Sequence, residues 1–369
     1  MRRFFSTAIL ILLLAASATG RQEASGVSIQ DRRAVVSATA QIIRDMYVFE
    51  DQANAMADAL HAHLDRGAYD SLADGRAFAQ RLTADLRAIC DDRHLTIEFN
   101  ADATPAPATA PTEGSPATQP ASTISPQRAR MAQFTNYGIE KIERLQANVW
   151  LLQLNEFVSL DFSRDTIGAA MNFVADANAL IIDLRRNSGG NPDTEAFIAG
   201  FLFDQPQALS AFDARFDGSH AEFLADPAKA PGPRFGGSKP LYLLTSEFTF
   251  SAGEALAYDL HACKRAVIVG ERTGGGAHPT DLQRINEHFA IRIPIARPVN
   301  PITHSNWQDV GVKPDVEINA DRALLAAHLA ALKALPRDSL PPQFAASRLD
   351  QIIAEKEREL ATGAATSQP

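Results

Sequence analysis

Cysteine is almost absent from this sequence: Cys90 and Cys263 are the only two in 369 residues. Neither sits in a CxxC pair, which excludes a disulfide scaffold, a zinc ribbon and a dithiol redox centre, and leaves at most one optional bridge. An excess of positive charge is also missing. The 35 Lys and Arg are outnumbered by 44 Asp and Glu, giving a formal charge of -9 and a pI near 5.5. That balance removes the broad basic surface that phosphate backbones require, so nucleic acid is not an expected partner. No apolar run reaches the roughly 20 residues of a membrane-spanning helix. What remains is ordinary globular composition, 46% hydrophobic with 21 Gly and 21 Pro, unlike a collagen, a coiled coil or a wholly disordered chain.

The chain begins with Met1-Arg2-Arg3, an apolar run from Phe4 to Leu14, and small residues around Ala16-Ser17-Ala18. This charged, apolar, small-residue order is that of a secretory signal peptide over residues 1–20, and it predicts a periplasmic or secreted protein with no membrane span in the mature chain. Over 28–100 the apolar residues Val35, Val36, Ile42, Ile43 and Met46, then Met56, Leu60 and Leu64, recur at helical spacing. They predict a small three-helix N-terminal bundle, followed by a strand over Leu95–Phe99. Residues 101–126 are nearly all Ala, Thr, Pro and Ser and form a predicted disordered linker. From 127 to 335, strand-like runs (Val149–Leu154, Ala179–Leu184, Leu241–Leu244, Ala266–Val269) alternate with helical ones (Arg164–Ala177, Asp193–Phe203, Ser251–Ala262). Such alternation predicts an α/β domain built on a mostly parallel sheet. The remaining residues, 336–369, are expected to form a closing helix and a frayed tail.

Two segments can carry chemistry. In Leu184-Arg185-Arg186-Asn187-Ser188-Gly189-Gly190 the glycines follow a buried strand and open a helix, where backbone N–H groups can face a ligand. In Thr249-Phe250-Ser251-Ala252-Gly253-Glu254 a serine stands at a helix start. The commonplace reading of Ser251 is an N-cap, with Glu254 completing a capping box. The functional reading is a nucleophile beside unpaired N–H donors that stabilise an oxyanion. A serine nucleophile needs a base. Among nine histidines, His94, in Asp92-Arg93-His94-Leu95 at the helix-to-strand junction, is the leading candidate. His278, in the glycine loop Gly274-Gly275-Gly276-Ala277-His278, is its rival.

Together with Asn136-Tyr137-Gly138, Val269-Gly270-Glu271-Arg272-Thr273 and Gly311-Val312-Lys313-Pro314-Asp315, these segments resemble the tail-specific, or C-terminal processing, proteases of family S41. The resemblance is strongest to the branch that includes the tricorn core protease and interphotoreceptor retinoid-binding protein. It implies a ClpP/crotonase-like mostly parallel sheet with helices, and a serine-type peptidase acting on polypeptides without metal or organic cofactor. It places the nucleophile on Ser251, the oxyanion donors on the N–H of Ala252 and of Gly189 or Gly190, and the base on His94. The lysine of the Ser/Lys branch is missing from Gly274-Gly275-Gly276. The third triad member falls on Gln308, where the branch carries an acid, with Asp309 as the neighbour able to replace it. A peptide-gripping PDZ domain is not expected, because the Ala/Thr/Pro stretch occupies its place. The alternative function is a catalytically weak or silent protein that binds an apolar ligand on the same fold.

Overall fold

The computed structural model describes residues 26–101, 126–337, 340 and 346–362. The expected signal peptide, nearly all of the Ala/Thr/Pro segment and the last residues lie outside the described residues. Three helices, α1 (Ile29–Met46), α2 (Glu50–Asp65) and α3 (Gly75–Cys90), open the fold. Ser28 caps α1 by accepting the Asp31 N–H, and Asp74 caps α3 by accepting that of Ala77. The apolar faces read from the sequence are the buried ones: Val35, Val36, Ile43, Met56, Leu60 and Leu82 are all at 1% exposure or less. Helix α3 stops where Asp91 turns left-handed (φ 43°), sending the chain through Asp92 and His94 into β1 (Thr96–Phe99).

After the short helix α4 (Pro126–Phe134) come β2 (Ile139–Arg144), β3 (Val149–Leu154), α5 (Leu160–Phe173), β4 (Ala179–Asp183) and α6 (Pro192–Gly200). Four short strands follow: β5 (Gln207–Ala208), β6 (Ala211–Ala214), β7 (His220–Ala221) and β8 (Leu224–Ala225). The chain continues through β9 (Leu241–Thr245), α7 (Ala252–Ala262), β10 (Val267–Gly270), β11 (Thr280–Arg284), β12 (Phe289–Pro294), β13 (Ala296–Val299) and β14 (Val316–Glu317). Helices α8 (Ala320–Ala334) and α9 (Ala346–Thr362) close it.

The main sheet has six strands in the order β14-β10-β9-β4-β3-β2, parallel throughout except for β2, which runs antiparallel to β3. Strands β4 and β9 are buried at every position, as central strands covered on both faces must be. Leu180 and Ile182 face the layer of α5, α6 and α7, while Ala179 and Ile181 face α8 and α9. None of the described helices is long and apolar enough to cross a membrane.

Several boundaries differ from the sequence reading for local reasons. The helix read over Arg164–Ala177 spans Leu160–Phe173, because Ser159 is its cap. The one read from Asp193 starts at Pro192, with the Asn191 side chain accepting the Thr194 N–H at 3.1 Å. The polar, alternating strands β2 and β11 and the short strands β5–β8 had no apolar run to announce them. The optional Cys90–Cys263 bridge is not formed; both are free thiols, Cys90 packed against the bundle core and Cys263 at the C-cap of α7. Burial pushes both thiols up, that of Cys263 to about 11.

The N-terminal bundle is completed by residues from far along the chain. Strand β12 pairs antiparallel with β1, Thr96 opposite Arg292 and Phe99 opposite Phe289. Phe289, Ile291 and Ile293 then enter the same core as Phe78, Leu82 and Leu95. The Val48 N–H also donates to the Pro294 carbonyl at 3.0 Å. Ile291→Ala is therefore expected to destabilise the whole protein by roughly 2–5 kcal/mol, the cost of a cavity in a packed core. Urea denaturation followed by far-ultraviolet circular dichroism measures it, and a loss below about 0.5 kcal/mol would show that the bundle does not depend on β12.

Candidate active site

Ser251 sits at the turn from β9 into α7 with φ 52° and ψ -125°, a conformation that L side chains rarely adopt. This strand, strained turn and helix is the arrangement that lifts a serine out of a sheet toward a ligand. Two hydrogen bonds lock the approach to it. Thr249 Oγ1 donates to the Leu184 carbonyl at 2.8 Å, and the Phe250 N–H donates to the Asn187 carbonyl at 2.9 Å. The strand-end loops of β4 and β9 are thereby held side by side.

Gly189 and Gly190 follow from β4 with φ 102° and 131°. A Cβ on Gly189 would lie 2.6 Å from Ser251 Cβ and 3.0 Å from Ala252 N, and one on Gly190 would lie 2.2 Å from the Phe157 carbonyl oxygen. Only glycine satisfies both the dihedral and the space. Gly189 does not offer its N–H, which corrects half of the sequence reading. That group donates to Asn187 Oδ1 at 2.8 Å, while Asn187 Nδ2 donates to the Leu154 carbonyl at 3.0 Å. The N–H groups of Gly190 and Ala252 are given to no other group among the described residues. Asn187, fully buried, is thus the brace that the sequence displayed as part of a glycine-rich turn without revealing its role.

Ser251, Ala252 and Gly190 line one cavity of about 170 Å³, walled also by Phe212, Trp307 and His278. His94 is elsewhere. Its ring lies against that of Phe250, the residue before Ser251, with centroids 4.7 Å apart and planes tilted by 36°. Both ring nitrogens of His94 are buried without a hydrogen-bond partner, and Nδ1 is 3.6 Å from Asp92 Oδ1, beyond hydrogen-bond length. Asp92 is itself buried, at 1% exposure. Its Oδ1 accepts the His94 backbone N–H at 3.0 Å, and its Oδ2 accepts from His278 Nδ1 at 2.7 Å. Burial alone would push this carboxyl up, but the hydrogen bonds from His278 and His94 outweigh it and hold Asp92 well below the usual carboxylate range. An ionised Asp92 accepts only, which makes His278 Nδ1 the donor.

Gln308 and Asp309 make no hydrogen bond to an imidazole. Gln308 Oε1 accepts the Ala277 N–H at 2.7 Å, and its Nε2 donates to Asp309 Oδ1 at 2.7 Å. The Asp309 N–H donates to the Gly275 carbonyl at 2.9 Å. Both polar ends of the Gln308 amide are occupied in bracing the glycine loop, so the orienting role read for this pair has no hydrogen bond to carry it. Glu254 holds the same loop from within. Its buried carboxylate accepts from the N–H of Ser251, Gly275 and Gly276 at 3.0, 2.7 and 2.8 Å, and from Thr273 Oγ1. Burial pushes its carboxyl up, against the pull of these donors. The described residues contain no cluster able to hold a metal ion.

Comparison with known proteins places this geometry. Residues 148–318 match the model of peptidase family S41, and residues 29–134 match that of the N-terminal domain of Peptidase S41 in eukaryotic IRBP. The chain belongs to peptidase family S41. Members of this family are serine-type peptidases. Among curated S41 relatives, carboxyl-terminal-processing peptidase 2, chloroplastic, of Arabidopsis thaliana is 33% identical over 138 residues, 37% of this chain and 25% of that protein. The carboxyl-terminal-processing protease of Synechocystis sp. is 29% identical over 139 residues, 38% and 30% of the two chains. The matches thus span well under half of these relatives' own length. Two solved structures share the fold. A lipoprotein from Streptococcus agalactiae superposes with a TM-score of 0.55 at 12% identity, over 84% of this chain and 97% of that one. A putative peptidase from Parabacteroides merdae gives 0.52 at 15%, over 78% and 90%.

The depressed Asp92 carboxyl has a measurable sign. Its interactions stabilise the folded S41 chain fully above the ordinary aspartate value of 3.8 and are lost as pH falls below it. Asp92→Asn is expected to cost on the order of 3 kcal/mol at neutral pH, and the gap from wild type should narrow as pH falls below about 4. Paired urea titrations between pH 7 and pH 3 check this; a gap that stays constant with pH would mean that Asp92 is not held ionised by its partners.

Proposed function

We propose that this chain is an exported serine peptidase that cleaves polypeptides by acyl transfer at Ser251. The observation that carries it is the strained Ser251 turn, set at a helix N-terminus beside two uncommitted N–H groups, all opening into one cavity. Family membership supports the chemistry, and the Met1–Gly20 segment, with its basic start and apolar run, supports export.

In this reading Ser251 Oγ attacks the carbonyl carbon of the scissile peptide while its proton passes to His94, the base that the family resemblance implies, although it is His278 that lines the Ser251 cavity. The tetrahedral oxyanion is stabilised by the N–H groups of Gly190 and Ala252, reinforced by the positive end of the α7 dipole. Collapse breaks the C–N bond, and the amine leaves with the proton held by the imidazole. Water, deprotonated by the same imidazole, then hydrolyses the acyl-serine ester. A cavity of about 170 Å³ with Phe212 and Trp307 in its wall matches one medium apolar side chain of the substrate. It falls below the roughly 300–1,000 Å³ of pockets that enclose a whole small molecule.

Purified protein treated with a fluorophosphonate should gain one adduct on Ser251, read by intact mass and peptide mapping, and Ser251→Ala should gain none. Gly190→Ala should lose labelling together with stability, since its Cβ has no room. An adduct on another residue, or equal labelling of Ser251→Ala, would refute the assignment.

A further inference from the structure

The S41 reading leaves the orienting acid of the triad without an occupant, because Gln308 and Asp309 are committed to each other and to the glycine loop. Another carboxylate stands next to the base. Asp92 is two residues before His94, buried, and flanked by two imidazoles: His94 Nδ1 at 3.6 Å from Oδ1, and His278 Nδ1 at 2.7 Å from Oδ2. We propose that Asp92 is the orienting carboxylate for His94 and that His278 is the positioning residue that holds Asp92 in place, the three forming a buried His-Asp-His unit whose His278 shares a cavity with Ser251. The proposal rests on the serine-peptidase reading.

Three observations support it. The first is that Asp92 Oδ1 already accepts the His94 backbone N–H at 3.0 Å, which holds the carboxylate 3.6 Å from the imidazole Nδ1. Such bonds are often long in an unliganded site and tighten when substrate binds. Next, the loop that carries both residues is pinned from outside. Arg87 donates to the carbonyls of Leu95 and Arg93, and Arg93 Nη1 donates to the Gly274 carbonyl at 2.9 Å while its guanidinium lies over the Phe250 ring. Last, His278 spans two spaces. It lines the Ser251 cavity and also a second cavity of about 320 Å³, where Tyr47, Cys90, Asp309 and Gln308 are its polar neighbours with Asp92. Its Nδ1 is spent on Asp92, and its ring meets Phe49 edge-on at 5.3 Å. Among these neighbours Asp92 alone offers a carboxylate to both imidazoles, and the Arg93 charge is turned toward Phe250 and Gly274.

The test reads the rate of fluorophosphonate labelling of Ser251 against pH in wild type, Asp92→Asn, His278→Leu and His278→Asn. Asn puts an amide donor where the imidazole has Nδ1, so it conserves the bond to Asp92 without a titrating ring. For Asp92→Asn the rate should fall by roughly 10³–10⁴-fold, the loss that follows removal of the triad carboxylate charge. Its pH–rate profile should also move to lower pH, because a neighbouring negative charge no longer favours imidazolium. His278→Leu should lose roughly 10–100-fold, the scale of losing a supporting partner, and His278→Asn should restore most of it. Should His278→Leu fail to fold, the isosteric Asp92→Asn and His278→Asn carry the test alone. Wild type that labels at Ser251, with Asp92→Asn within about threefold and its pH–rate profile unmoved, overturns this proposal alone; so does a His278→Asn variant no faster than His278→Leu. Wild type that does not label overturns the serine-peptidase reading and this one with it.

Discussion

The buried carboxylate of Glu254 is the constraint on which the site is built. It accepts from the N–H of Ser251 on one side and from the N–H groups of Gly275 and Gly276 and the Thr273 hydroxyl on the other. Burial opposes its charge, and four donors compensate, so the group is held by its partners rather than tolerated as a spare ion. One side chain thus fixes the nucleophile's own backbone to the loop that leads to His278. A capping residue, an ordinary helix-end device in sequence, here sets the distance between two halves of the candidate site.

The second constraint is that two cores must meet. The sheet core supplies Ser251 and the Gly190 turn; the bundle core supplies Asp92 and His94. Because Phe289, Ile291 and Ile293 of β12 are buried in the bundle, the chain that leaves the glycine loop goes straight into the core that positions His94. The loop that carries His94 is tied to the glycine loop by Arg93, which donates to the Gly274 carbonyl, and by Asp92, which accepts from His278. Phe250 fills the space between them, packed against His94 on one face and close enough to Gly276 that any side chain there would clash.

The parts of this arrangement that were legible in the sequence are those encoded locally. Ser251 is announced by a buried strand, a turn and a helix within a dozen residues, and the Gly190 turn by a strand followed by paired glycines. The three helices of the bundle followed from apolar spacing. What could not be read depends on contacts across the chain. Asp92 is one of two adjacent aspartates, and its partner His278 is 186 residues away. Gln308 reads as the orienting group from the resemblance alone, yet its amide serves Ala277, a choice made by loop geometry and not by residue type. Gly189 and Gly190 look alike in sequence, and only the Asn187 side chain, folded back onto the first, separates a spent donor from a free one.

An acid at position 308 would be a poor occupant of the present geometry. Gln308 uses both functions of its amide, accepting from Ala277 and donating to Asp309. A glutamate has no donor, so it would face the exposed Asp309 carboxylate as a like charge, at a cost of about 1 kcal/mol or less at this solvated position. The glutamine is thus matched to Asp309, and under the proposal above the negative charge that a triad needs sits instead at Asp92, where the His278 imidazole and the His94 backbone N–H already receive it. Asp92 satisfies that requirement without a change in the backbone of either loop.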